Sequence, residues 1–120
     1  MADKAKVRQI KIKTGSLKRN MKDYTSYKKE EALLQEKLTK MQEEGKDEYD
    51  IKKMQEGVTE TSETLARCKP RIEAAIDDLE NLIATFEEEE DNAALKETEE
   101  WTQAEAVIAE AKAFVENIAI

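Results

Sequence analysis

Residues 51–86 read IKKMQEGVTETSETLARCKPRIEAAIDDLENLIATF, and this stretch decides the fold. Ile51, Met54, Val58, Thr61, Leu65, Cys68, Ile72, Ala75, Leu79, Leu82 and Phe86 follow one another at spacings that alternate 3 and 4 without a break. That is a heptad seam five repeats long, and it predicts one helix of about 40 residues, about 60 Å from end to end. Thr61, Cys68 and Ala75 dilute the seam. Pro70 falls within it, where it removes a backbone hydrogen bond and crowds the carbonyl four residues back, a cost of about 3 kcal/mol in a regular helix. The phase nevertheless runs through. With Ile51 at an a position, Pro70 sits at f on the outer face, so the expectation is a continuous helix bent near Pro70. A helix that stops at Lys69 and restarts with Pro70 in its first turn is the alternative.

On the N-terminal side, Val7, Ile10, Thr14, Leu17, Met21 and Tyr24 keep the same spacing. The seam then slips and resumes as Tyr27, Glu31, Leu34, Leu38 and Met41, so this segment reads as a helix with a register shift, over about 6–44. Gly15 costs about 1 kcal/mol within it, and Ile10 to Lys13 alternate like a strand. A helix starting with Ser16 as its cap is therefore the plainer alternative. Glu44-Gly45-Lys46-Asp47 punctuates the chain: Gly45 suits a left-handed C-terminal cap, and Asp47 or Asp50 suits the start of the next helix, over about 48–88. A tight reversal makes the two helices antiparallel.

On the C-terminal side, Trp101, Ala104, Ile108, Ala111, Val115 and Ile118 form a third seam, widened by Val107 and Phe114. The acidic run Glu87 to Asp91 precedes it as the second turn, and the third helix is expected over about 92–118. The reading is an all-α, single-domain chain over 1–120: an elongated, coiled-coil-like, antiparallel three-helix bundle that runs up, down, up.

Composition agrees. Charged residues make up 40% of the chain and apolar ones 39%, so the core must be a narrow seam. The net charge of -8 hides a polarity. Residues 1–29 carry ten Lys and Arg against Asp3 and Asp23, which is +8, and residues 30–120 carry ten basic and 26 acidic residues, which is -16. No stretch approaches the roughly 20 apolar residues of a membrane span, and no signal-peptide pattern follows Lys4, Lys6 and Arg8. The lone Cys68 cannot form an internal disulfide. A cytoplasmic protein is expected.

Chemistry is sparse. The chain holds no His, which removes the commonest general base and metal ligand. Cys68 falls on a seam, and the three glycines are scattered at 15, 45 and 57 rather than gathered in a phosphate loop. The acidic run lacks the spaced pattern of a Ca²⁺ loop. No enzymatic activity, cofactor or metal is expected. Basic residues 4–22 raise the question of nucleic acid or a membrane surface, but the folded whole is acidic and the apolar stripe is needed by the bundle. Neither partner is expected.

Val7-Arg8-Gln9-Ile10-Lys11-Ile12-Lys13-Thr14-Gly15 with Lys18-Arg19, Tyr49-Asp50-Ile51-Lys52-Lys53, and Arg71-Ile72-Glu73-Ala74-Ala75 with Asp78-Leu79 resemble, in order and spacing, the tubulin-folding cofactor A family. The resemblance spans most of residues 7–83. It implies a chaperone that captures quasi-native β-tubulin after the cytosolic chaperonin and passes it on, with other tubulin-folding cofactors, for pairing with α-tubulin. It also implies cytoplasmic residence in association with the cytoskeleton and contact through helix faces. Tubulin is acidic, so the basic face of the first helix is nominated for contact: Lys11, Lys13, Lys18 and Arg19, then Tyr27, Asp50, Lys52, Lys53 and Arg71. The rival is a generic coiled-coil adaptor or oligomerisation module, and the chain itself is expected to be a monomer or a homodimer.

Overall fold

The computed structural model describes residues 2–89 and 92–118. Glu90 and Asp91, part of the expected second turn, lie outside the described residues, as do Met1 and the last two residues. Four helices follow in order: α1 (Lys4–Glu43), α2 (Glu48–Glu87), α3 (Ala93–Lys96) and α4 (Glu99–Glu116). Among the described residues there is no strand.

The ends of α1 are set by local chemistry. Asp3 caps its start, the carboxylate accepting from the Ala5 amide at 2.9 Å, and this satisfies one of the amides that a helix N-terminus leaves open. Gly15 does not interrupt it, and the strand-like alternation at Ile10–Lys13 yields to the helix. At the other end Gly45 takes φ +66°, the Lys46 amide donates to Met41 O at 3.0 Å and the Gly45 amide to Gln42 O at 3.2 Å. These are the two crossed hydrogen bonds of a Schellman turn, which a residue without Cβ closes at least strain. Asp47 occupies the cap position of α2 without a side-chain bond. Helix α2 then runs unbroken across Pro70, which lies exposed on its surface. The alternative of a stop at Lys69 is thereby removed.

The third segment departs from the expected single helix over 92–118. A one-turn helix, α3, is followed by a break at Glu97 and Thr98. The Thr98 hydroxyl accepts from the Trp101 amide at 3.2 Å and donates to Leu95 O at 2.7 Å, so a single side chain ends one turn and starts the next helix. Glu99 and Glu100, rather than the acidic run, occupy the first turn of α4 and complement its dipole. The run's residues Glu87 and Glu88 instead meet the negative end of α2. Lys96 answers Glu87 at 3.3 Å, and Lys6 answers Glu89.

Packing follows from helix lengths. Eighteen residues of α4 span about 27 Å, against about 60 Å for α1 and α2, so only half of the hairpin receives a third helix. Lys112 of α4 reaches Glu80 of α2 at 2.8 Å, and Phe114 meets Tyr24 of α1 edge-on at 5.5 Å between centroids. The core lies in this half: Ile10, Leu17, Ile72 and Leu79 are fully buried, with Trp101, Ala104 and Ala111 closing it from α4. Ala104 and Ala111 carry only a methyl each, which lets α4 approach the hairpin closely. Beyond Tyr24 and Lys69 the hairpin continues as two helices, with Leu38, Val58 and Thr61 buried between them. The molecule measures 68 × 22 × 16 Å.

The register slip in α1 has its cause here. Through Tyr24 the helix packs against two neighbours, and past it against α2 alone, so its buried stripe must turn. Tyr27, expected on the seam, is instead 36% exposed.

Candidate partner interface

Between residues 4 and 22 the chain places eight Lys and Arg and no Asp or Glu, and one helix carries them all. The fold sorts them by face. Lys6 and Lys13 point toward α2 and are paired, Lys6 with Glu89 and Lys13 with Asp78 at 3.8 Å. Lys6 also lies over the Phe86 ring, 5.5 Å from its centroid. Lys4, Arg8, Lys11, Lys18, Arg19 and Lys22 form no ion pair among the described residues.

Four of those six, Lys4, Arg8, Lys11 and Arg19, line one open hollow along the outer side of α1. Val7, Ile12, Gly15 and Ser16 complete its lining on α1, and Glu100 lines it from α4. Ile12 is 59% exposed there. Lys18 and Lys22 line the adjoining groove, shared with Glu110 and Phe114 of α4. The surface therefore presents exposed cations around a small apolar spot.

The nominated residues do not converge. Lys11 and Arg19 share the hollow, Lys18 faces the next groove, and Lys13 is engaged with Asp78 on the opposite flank. Tyr27 and Arg71 lie exposed near the middle of the rod. Asp50, Lys52 and Lys53 sit close to the α1–α2 turn, about 40 Å along the axis from Lys11 at 1.5 Å per residue. Lys53 lies over the exposed ring of Tyr49 at 5.2 Å. Of the nominated residues, one contiguous surface unites only Lys11 and Arg19 with the adjoining Lys18. Sequence reasoning passed over Lys4, Arg8 and Ile12 as members of it. The signal for Ile12 was present: two residues past Ile10 is about 200° around a helix, which sets an aliphatic side chain opposite the core.

Cys68 is buried, its thiol donating to Thr64 O at 3.4 Å. Burial pushes its pKa up, Arg71 opposing and Asp23 adding to the rise. Such a thiol is a packing residue rather than a nucleophile. No helix among the described residues is long and apolar enough to cross a membrane.

Comparison with known proteins gives this surface a context. A family model described as tubulin binding cofactor A matches residues 5–108. Tubulin-specific chaperone A of Homo sapiens is 43% identical over 108 residues, which cover 90% of this chain and 94% of that protein. Among solved structures, tubulin folding cofactor A from Arabidopsis thaliana superposes with a TM-score of 0.77 at 32% identity, covering 92% of this chain and 99% of the other. The human tubulin chaperone cofactor A structure gives 0.68 at 37% identity, covering 89% and 98%.

Proposed function

This chain belongs to the tubulin binding cofactor A family, and from that premise we propose that it binds and stabilises quasi-native β-tubulin after chaperonin release and passes it on for assembly of the α/β heterodimer. The role of tubulin chaperone comes with the family; preference for β-tubulin over α-tubulin and the hand-off, with other tubulin-folding cofactors, are the finer steps of the proposal. So is residence in the cytoplasm beside the cytoskeleton.

The observation that carries the reading to a surface is the row of cations on α1 without carboxylate partners in an otherwise acidic protein. A charged face of this kind speeds encounter with an acidic client and orients it. Because α1 is already ordered by the core beneath it, binding there costs little conformational entropy in the chaperone. Lys11, Lys18 and Arg19 are assigned to the contact, with Lys13, Tyr27, Asp50, Lys52, Lys53 and Arg71 as outlying candidates that a large client would have to span to reach.

Titration of the full chain against purified β-tubulin and α-tubulin tests this directly. The expected result is binding to β-tubulin that exceeds binding to α-tubulin and weakens when Lys18 and Arg19 are both reversed to Glu. Equal binding to both tubulins, or none to β-tubulin, removes the proposal and favours the coiled-coil adaptor reading. Unchanged binding by the reversed variant removes only the assigned face.

A further inference from the structure

We propose that the α1 hollow lined by Ile12 is the seat of a short acidic protein segment bearing one apolar side chain, which rests on Ile12 while its carboxylates meet Lys4, Arg8, Lys11 and Arg19. The proposal deepens the tubulin reading, and depends on it only for the identity of the protein that supplies the segment.

A single exposed Ile is ordinary on a protein surface. Three further features set this one apart. First, the chain removes bulk beside it: Gly15 and Ser16 follow along the same face, and a Cβ built at Gly15 would meet nothing within 4 Å. The result is a shallow, open seat that the exposed Ile12 side chain lines.

Second, the cations around the seat are available. Lys13, one residue from Ile12, is held by Asp78, whereas Lys4, Arg8, Lys11 and Arg19 have no ion pair among the described residues. The row from Lys4 to Arg19 is about 22 Å long, the length of about seven extended residues or fifteen helical ones. Arg at two of the four positions favours carboxylates, which a guanidinium grips with paired N–H groups.

Third, the rest of the molecule repels such a partner. Residues 30–120 carry a net charge of -16, so the N-terminal part of α1 is the favourable region for an acidic segment. Glu100, half-buried at the rim, is the only carboxylate lining the seat among the described residues and limits it on the α4 side.

The test uses the full-length chain and three probes at low and physiological salt. These are a 15-residue peptide of Glu and Gln with one central Leu, the same peptide with Gln in place of the Leu, and a single-stranded oligothymidylate of equal charge. The Leu peptide is expected to bind best, by about tenfold over the Gln peptide, and to weaken as salt rises. Arg8→Glu with Arg19→Glu should weaken it by about tenfold or more. Ile12→Asn should abolish the preference for Leu and leave the salt dependence in place. Glu100→Gln should tighten binding. Because all these side chains are solvent-exposed or half-buried, circular dichroism should report an unchanged fold; if Arg8→Glu with Arg19→Glu disturbs it, Arg8→Gln with Arg19→Gln replaces it.

Equal binding of the two peptides, or tighter binding of the oligonucleotide, overturns the proposal in favour of a nonspecific anion face. Competition separates it from the tubulin reading. If β-tubulin binds and the Leu peptide binds as expected but fails to compete, the seat takes its segment from another protein and the function stands. If the wild-type chain binds the peptide but no tubulin, the seat stands and the function is wrong.

Discussion

Cys68 shows how much one residue's seam position conveys. The seam placed it inside, and the structure buries it with its thiol on the Thr64 carbonyl. Desolvation is the main reason its pKa is raised, so the folded chain holds the thiol protonated at a pH where the unfolded chain ionises. The stability tied to this group is fully present below the ordinary thiol pKa and is lost as pH rises through that value toward the folded one. Cys68→Ala should cost about 1 kcal/mol at neutral pH through lost packing, yet decline less steeply than wild type on the alkaline side. Denaturant midpoints of both proteins between pH 7 and 10 would check this, and parallel curves would contradict it. Ile12 teaches the complementary lesson. Its exposure follows from helical geometry once Ile10 is known to be core, but the alternating Ile10–Lys13 pattern suggested a strand. Which cations are free was not legible at all, because Lys11 and Lys13 differ only in what lies across from them, and Asp78 is 65 residues away from Lys13 in sequence.

Among the elements, α2 was the most legible and the segment after it the least. An unbroken 3 and 4 spacing over 36 residues specified one helix even across Pro70, because the proline falls on the outer face, where water can serve the carbonyl it leaves without a donor. Pro70→Ala restores that hydrogen bond and should raise stability by about 1 to 3 kcal/mol, visible as a higher melting temperature; a lower one would mean that the proline fits a shape α2 must adopt. The break between α3 and α4 escaped notice because residues 96–100 carry no apolar side chain whose phase could mark it, and helix-favouring Lys96, Glu97, Glu99 and Glu100 surround the cap signal of Thr98. Where α4 ends was written in the sequence more plainly. The heptad series of α1 beside it, Val7, Thr14 and Met21, continues as Lys28 and Gln35, and that of α2, Ile83 and Ile76, continues as Lys69 and Ser62. Polar residues thus close the third-helix seat. Lys28→Leu combined with Lys69→Ile would extend the stripe past Ile118, which ends beside both lysines. That variant should self-associate, as sedimentation would show by a concentration-dependent mass; a strictly monomeric variant would mean that two added side chains do not make a seat.

At the scale of the molecule, a radius of gyration of 20.2 Å, against about 14 Å for a compact domain of this length, describes a rod whose stability is unevenly distributed. Ile10, Leu17, Ile72 and Leu79, all fully buried, lie in the half that α4 covers. The other half, roughly residues 28–64, is held by Leu38, Val58 and Thr61 and by half-buried residues such as Leu34 and Met54, with polar contacts such as Ser62 to Glu31 at 2.8 Å. A buried apolar side chain contributes about 1.5 to 3 kcal/mol, while each ordered residue costs about 1 to 2 kcal/mol in backbone entropy. The two-helix half therefore depends on the three-helix half to stay folded. Amide hydrogen exchange should resolve this as two levels: strong protection, at the free energy of global unfolding, for 7–24, 70–86 and 101–111, and weaker protection through partial opening for 28–64. The gradient should persist at neutral pH without denaturant and merge as denaturant makes global unfolding the easier route. Uniform protection along both long helices would mean that the seam of α2 transmits the whole stability of the core to the turn. The same measurement bears on client binding. A partner held on α1 beside Ile12 should slow exchange in 4–22 and leave 28–64 unchanged, whereas slowing concentrated near the turn would move the interface to Asp50, Lys52 and Lys53.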